Sequence, residues 1–344
     1  MTATYDVVGI GNALVDVLAP VDDAFLVEHG LVKGSMALVD AGTGRALYEA
    51  MGPAVEVSGG SAANTMAGLA SLGSRVAFVG RVAGDQLGEV FTHDIRAAGV
   101  AFDPRPAGGG SSPTGRSLIV VSGDGQRTMS TLLGASSELG PDDVDEALVA
   151  GARITYLEGY LFDRPPAREA FDKAAAAAHR AGRQVAVSLS DSFCVERFRD
   201  EFRALVDSQA DILFANEDEL RLLSGHDDFG EALASVEELC PLVVATRGAA
   251  GSTVVAGGTR FEVAAAPVHR VVDTTGAGDL YAAGFLHGLS AGLDPPSCGR
   301  LGALAAAEVI GHLGARPERS LADLADLADL AAGGGTAGGG HRQP

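Results

Sequence analysis

After about residue 140, short apolar runs alternate with amphipathic stretches, and this alternation constrains the fold more than any other feature of the chain. PDDVDEALVAGA leads to ITYLEGYL, and PPAREAFDKAAAAAHRAG to QVAVSLS. VERFRDEFRALVDSQ then leads to DILFAN, and EDELRLLSG with FGEALASVEELC to PLVVATRG. Helix–strand alternation of this kind buries its strands in a mostly parallel sheet with helices on both faces. The same layer takes in YDVVGI, the helix SAANTMAGLASLG, RVAFVGRV and the helix DQLGEVFTHDIRAAGV. In SAANTMAGLASLG, Ser61 reads as the N-cap and Gly73 as the C-cap.

Two stretches, 13–57 and 101–133, do not fit that layer. They read as β-only patches: SMALVD and AVEV in the first, and RSLIVVSGDGQRTMSTLL in the second, where Gly-Asp-Gly marks a hairpin. The expected organisation is therefore an α/β core made of 1–12, 58–100 and 134–325, with a smaller sheet made of 13–57 and 101–133. The glycine-rich end, 326–344, is expected to be a disordered tail.

The net charge of −20 over 344 residues argues against a nucleic-acid surface. A polyanionic ligand must then be held locally, by helix ends, single arginines or a metal ion. Lys33 and Lys173 are the only lysines, and neither lies in a Walker-type phosphate loop. Cys194, Cys240 and Cys298 are too widely spaced for a zinc site and too odd in number for a disulfide framework, so they read as buried free thiols. The N-terminus has no basic segment before its apolar run, and no long uncharged apolar stretch follows. The expectation is a cytoplasmic protein with no membrane partner.

Four stretches have the composition of a binding site. In DTTGAGDLYAAGFLHG, Gly276, Ala277 and Gly278 offer bare backbone at a helix start, where unpaired N–H groups and the dipole favour an anion. Asp279 stands in the first turn, and HRVVD before the loop reads as a strand end. Ordinary capping by Asp273, Thr274 or Thr275 accounts for the same residues. In GGSAANTM, a ligand hydroxyl can meet the backbone at Gly59 and Gly60 and the amide of Asn64; a simple glycine turn is the alternative. GIGNALVD lacks the third glycine of a dinucleotide fingerprint, but places Asn12 and Asp16 just past the first strand. An ionised Asp16 can accept from two vicinal hydroxyls. NEDE reads either as a capping box, Asn216 with Glu219, or as acids at a strand end that hold Mg²⁺ through water. ATRGAAGS is a hairpin turn or a backbone cradle for a nucleotide.

Taken together, these stretches resemble the ribokinase-like (PfkB) carbohydrate and nucleoside kinases. GGSAANTMAGLASLGSRVAFVGRVAGDQLGE looks like the family's N-terminal signature and DTTGAGDLYAAGFLHGL like its C-terminal one, and the likeness covers roughly 5–318. GNALVDVLAPVDDAFLVEHGLVKGSMALVD, SPTGRSLIVVSGDGQRTMSTLLGAS, SLSDSF and AAEVIGHLGARP most resemble the adenosine kinases of that family. Glu158 and Asp191 stand where that likeness implies small residues.

The resemblance implies a central α/β sheet with a β-sheet lid. It implies transfer of the γ-phosphoryl group of Mg·ATP to a primary hydroxyl, the 5′-hydroxyl of adenosine or, alternatively, a hydroxyl of ribose, fructose or a keto-deoxy sugar acid. A sugar acid would call for an arginine near Asp16, which the sequence does not place there. Asp279 would be the base, kept ionised by the helix end, with Gly276, Ala277 and Gly278 holding the phosphoryl group. Asn12, Asp16, Gly59, Gly60 and Asn64 would bind the acceptor, with Leu132, Leu161 and Phe193 as apolar walls. Asn216 and Glu219 would organise Mg²⁺, and Thr246, Gly248 and Gly251 would line the nucleotide groove. Arg127 matches a lid arginine, and it and Asp16 are expected to reach the cleft only when the lid shuts. A monovalent cation, K⁺, beside Asp273 and Thr275 is a further expectation, as is a monomer or homodimer.

Overall fold

In the computed structural model, which describes residues 3–105, 112–124 and 126–325, the apolar runs become strands of two sheets. The tail expected at 326–344 lies outside the described residues. In chain order the strands are β1 (Tyr5–Ile10), β2 (Leu14–Pro20), β3 (Met36–Leu38), β4 (Val55–Gly59), β5 (Val76–Val79), β6 (Ala101–Phe102) and β7 (Gly115–Val121). They continue with β8 (Arg127–Leu132), β9 (Ala152–Glu158), β10 (Gln184–Ser188), β11 (Ile212–Asn216), β12 (Leu242–Thr246), β13 (Ser252–Ala256) and β14 (Thr259–Val263).

The large sheet has nine strands in the order β14-β13-β12-β11-β10-β9-β1-β5-β6. It is parallel from β6 to β12, and β13 and β14 add an antiparallel edge. Both faces are apolar because successive side chains point to opposite sides of a strand. Val7, Ile212, Val244 and Val254 enter one core, with Met66, Leu280 and Phe285 from the helices on that face. Their neighbours Val8, Leu213, Val243 and Val255 enter a second core on the other face, against Phe171, Phe202 and Leu220.

The smaller sheet has five strands in the order β3-β8-β7-β2-β4. The two runs flanking Gly-Asp-Gly pair as expected, β7 antiparallel to β8 with Val121 opposite Arg127; Gly125 lies outside the described residues. Other expectations need correction. The first patch is not β-only, because helices Asp23–Glu28 and Ala41–Ala50 lie within it, each started by an aspartate side-chain cap. Ala101–Phe102 pairs with β5 in the large sheet, so the second patch joins the small sheet only from β7. HRVVD forms no strand. After β14 the chain leaves the sheet, Val271 and Val272 stand exposed, and the Val272 N–H donates to the Ile310 carbonyl at 2.8 Å.

Strand order fixes where a ligand can sit. From β1 the chain passes through the small sheet to β5 on one side, and β9 later pairs on the other. The carboxyl ends of β1 and β9 therefore flank a crevice at the switch point, the usual binding position in open α/β sheets. Asn12 follows β1, Glu158 ends β9, Asn216 ends β11 and Thr246 ends β12, all along that one edge.

Candidate active site

Asp279 lies in the first turn of the 14-residue helix Ala277–Ser290, whose N-cap is Gly276 at φ +78°. A side chain at 276 would also collide with Ala315, so both conformation and packing call for glycine. Gly278 has nothing within 4 Å of where a Cβ would stand, so bare backbone meets open space at the positive end of the helix. Of the three expected amide donors, that of Ala277 is already engaged by the Thr274 carbonyl at 3.2 Å.

Both carboxylate oxygens of Asp279 are fixed. Ser61 Oγ donates to Oδ1 at 2.6 Å and Asn64 Nδ2 donates to Oδ2 at 3.1 Å. Ser61 is therefore not the N-cap of its helix, Ser61–Ser71. That position belongs to Gly60, at φ +99° and with no side-chain cap, where a Cβ would run into the Asn12 carbonyl. Burial pushes the Asp279 carboxyl above its ordinary value, while the bonds from Ser61 and Asn64 and the charge of Arg316 pull it down. Loss of water therefore outweighs the bonds from Ser61 and Asn64 and the charge of Arg316. The upward shift makes Asp279 a stronger base than a free aspartate.

Asp16, on β2, packs its carboxylate over Gly59, where a side chain would collide with it. Burial pushes its carboxyl up to about 7, against the opposing charges of Arg316 and Arg127. Arg316 is therefore an arginine beside Asp16, one the linear sequence did not place there. Its Nε donates to Asn64 Oδ1 at 2.8 Å and its Nη2 to Ser58 Oγ at 3.2 Å.

Asn12 is buried and leans on Glu158: its backbone N–H and its Nδ2 donate to Oε1 at 3.2 and 2.7 Å. Glu158 Oε2 accepts from the Ala62 N–H at 2.8 Å, so this carboxylate caps the helix that carries Ser61 and Asn64. Only 1% of Glu158 is exposed and no cation pairs with it among the described residues, so burial pushes its carboxyl up to about 7.

Arg127, at the start of β8, already rests on the loop before Asp279. Its Nη2 lies 2.6 Å from Asp273 Oδ2, and its Nη1 donates to Thr275 Oγ1 at 3.3 Å. Asp273 also accepts from the Thr275 N–H and hydroxyl (3.1 and 2.8 Å) and from the Gly314 N–H (2.9 Å). A guanidinium thus faces the carboxylate beside which K⁺ was expected. Arg127 and Asp16 thus both stand at the loop in this conformation. Arg127 Nε is buried with no hydrogen-bond partner among the described residues.

Asn216 and Glu219 form the capping box. Asn216 Oδ1 accepts from the Glu219 N–H (2.9 Å), while Glu219 accepts from the Asn216 N–H (3.0 Å) and Nδ2 (2.6 Å). Burial pushes the Glu219 carboxyl up to about 7. Thr246 ends β12, and a short turn, Gly248–Ala250, returns the chain antiparallel, with Gly248 and Gly251 both at positive φ. The proposed apolar walls occupy three different surroundings. Leu132 faces Gly44 of the helix Ala41–Ala50, Leu161 is buried in the core beside Phe162 and Phe171, and Phe193 is 52% exposed with the Arg197 guanidinium over its ring. None of the three cysteines forms a disulfide; Cys240 and Cys298 are buried and Cys194 half-buried. Among the described residues no helix is long and apolar enough to cross a membrane.

Comparison with known proteins agrees with this geometry. Residues 51–320 match the model of the pfkB family carbohydrate kinases. The structure superposes on adenosine kinase from Sinorhizobium meliloti with a TM-score of 0.89 and 53% identity, over 95% of this chain and 100% of that one. A probable sugar kinase from Rhizobium etli CFN 42 gives a TM-score of 0.89 and 48% identity, over 96% and 100%. The Saccharomyces cerevisiae adenosine kinase is 28% identical over 313 residues, which is 85% of this chain and 90% of the relative. A ribokinase-like fold, a carboxylate at a glycine-lined helix start and a family match across most of the chain lead to one conclusion: this protein belongs to the pfkB family of carbohydrate kinases, phosphotransferases with an alcohol acceptor.

Proposed function

We propose that this kinase phosphorylates the 5′-hydroxyl of adenosine at the expense of Mg·ATP, giving AMP. The observation that carries the reading is the Asp279 carboxylate, held through both oxygens by Ser61 and Asn64 at an open helix start, with Asp16 beside it. In this reading Asp279 takes the proton of the acceptor hydroxyl, and the backbone at Gly276 and Gly278 binds the transferring group. Ionised Asp16 accepts from the vicinal ribose hydroxyls, as does the Oδ1 of Asn12, which Glu158 turns away from itself by occupying Nδ2. The small sheet carries Asp16 and Arg127, and acts as the lid that excludes water.

ATP and magnesium fit these residues. Arg127 Nε is a buried donor without an acceptor, and Gly278 leaves room for an anion. No cluster of three metal-ligating side chains occurs among the described residues, which suits a hydrated ion carried on nucleotide phosphates. Glu219 would hold that ion through water, while Thr246, Gly248 and Gly251 line the nucleotide groove. Once bound, Mg·ATP supplies the phosphoryl group and neutralises charge on the leaving phosphate.

The 53% identity to an adenosine kinase supports adenosine as acceptor. One observation favours a second reading: Arg316 beside Asp16 offers the guanidinium that a sugar acid would need. Initial rates with adenosine, ribose, fructose and a keto-deoxy sugar acid under the same Mg·ATP separate the two. A kcat/KM for adenosine about 30- to 10³-fold above the sugars is expected, since a purine adds about 2–4 kcal/mol of apolar burial. Equal or better use of a sugar would overturn the nucleoside assignment.

A further inference from the structure

Arg316 belongs to none of the stretches with binding-site composition, yet its guanidinium ends at the centre of the site. The chain reaches it through the segment after the helix Pro295–Val309, beside Ala315, which packs under Gly276. Its neighbours by charge are Asp16, Asp94 and Asp279. Its nearest hydrogen bond runs to the amide oxygen of Asn64, at 2.8 Å.

An amide can present either its oxygen or its NH₂ to a neighbour. A guanidinium only donates and an ionised carboxylate only accepts. Placed between Arg316 and Asp279, Asn64 has a single satisfying orientation, with Oδ1 to the arginine and Nδ2 to the aspartate. Without the arginine, Asp279 alone still favours that orientation, but the amide loses its anchor on the Oδ1 side and is held from one end only. The flipped amide would set its oxygen against the Asp279 carboxylate.

We propose that Arg316 is a positioning residue for phosphoryl transfer, which acts on Asp279 by fixing the orientation of Asn64. This rests on the reading of Asp279 as the base. A second bond, from Nη2 to Ser58 Oγ at 3.2 Å, ties the guanidinium to the end of β4 and so to the small sheet. Burial lowers the Arg316 guanidinium only to about 10, so it stays charged throughout the neutral range.

The test is a double-mutant cycle read on the single-turnover transfer rate at saturating Mg·ATP and acceptor, with Arg316→Met, Asn64→Ala, the double variant and Asp279→Asn. Arg316→Met is expected to slow transfer about 10- to 100-fold with the KM for ATP unchanged, and to cost nothing further once Asn64 is alanine. An equal loss in both backgrounds, or no loss at all, overturns the proposal. Should Arg316→Met fail to fold, Arg316→Lys replaces it in the same cycle. Its single ammonium cannot reproduce the fixed fork toward Asn64 and Ser58, so a several-fold loss confined to the Asn64 background is expected, and any other pattern overturns the proposal. Asp279→Asn separates the two failures: full turnover in that variant removes the base reading itself, whereas its inactivity beside a wild-type-like Arg316 variant removes only the role of Arg316.

Discussion

Asp279→Asn removes a proton acceptor while leaving its neighbours able to bond. The new Oδ1 can still accept from Asn64 Nδ2, now at 3.1 Å from the carboxylate. The new Nδ2 can donate to Ser61 Oγ, which stands 2.6 Å away and can accept as readily as it donates. The hydrogen-bond count is preserved and a half-buried charge is removed, so stability should move by no more than about 1 kcal/mol. Transfer, in contrast, loses its base. A positioned base contributes about 10²–10⁴-fold, so kcat should fall at least about 10²-fold, or about 2.7 kcal/mol, with the KM values for ATP and acceptor within a few-fold. A coupled assay of ADP release gives kcat, and urea unfolding checks the fold. A correctly folded variant with kcat within about threefold of the original would refute the role of Asp279.

Asp16, with its carboxyl pushed up to about 7, must be ionised to accept hydroxyls, so kcat/KM for the acceptor should decline as pH falls through about 7; Asp16→Asn should lower it at all pH values and abolish that limb. Glu158 rises from 4.5 to about 7 on folding, so the folded state holds the extra proton between those values. Its contribution to stability is then full below about 4.5 and lost as pH rises to about 7, by at most about 3 kcal/mol; urea midpoints for the wild type and Glu158→Gln over that range check the slope, which the variant should flatten. Arg127→Ala strips the charge partner from buried Asp273 and should cost about 3 kcal/mol of stability while lowering kcat more than it changes ATP affinity. An ATP affinity that falls as much as kcat would make Arg127 a ground-state ATP contact. Leu161→Ala, at 2% exposure, should destabilise by about 2–5 kcal/mol, whereas Phe193→Ala should leave the melting point nearly unchanged and reduce kcat/KM for adenosine but not for ribose.

Much of this site was legible because its parts are local. The glycine-lined helix start, the capping box of Asn216 and Glu219 and the Gly-Asp-Gly hairpin each depend on residues a few positions apart. What escaped depends on long-range contacts. Ser61 looks like an N-cap because a hydroxyl at a helix start usually bonds its own helix; its partner is 218 residues away. Arg316 lies in AAEVIGHLGARP, a stretch that resembles adenosine kinases, but nothing local marks it as a site residue, as its bonds run to residues 252 and 258 positions earlier. Glu158 reads as a departure from the family pattern, and only folding brings Asn12 and Ala62 to its two oxygens. HRVVD has strand-like composition, but the chain leaves the sheet after β14 and the Val272 N–H turns to the Ile310 carbonyl, so Val271 and Val272 stay exposed. The raised carboxyls of Asp16, Asp279 and Glu158 likewise follow from water excluded by packing, which no motif records.

The most direct measurement is the identity of the phosphorylated product. The full chain is incubated with Mg·ATP and adenosine, and phosphorus and proton NMR follow the transfer, with 5′-deoxyadenosine as the matched control. AMP should form in step with ADP, its phosphorus coupled to the two 5′ protons, and the deoxy control should give no phosphorylated nucleoside. Release of ADP without AMP, or a phosphate carried at the 2′ or 3′ position, would contradict phosphoryl transfer to the 5′-hydroxyl of adenosine at Asp279.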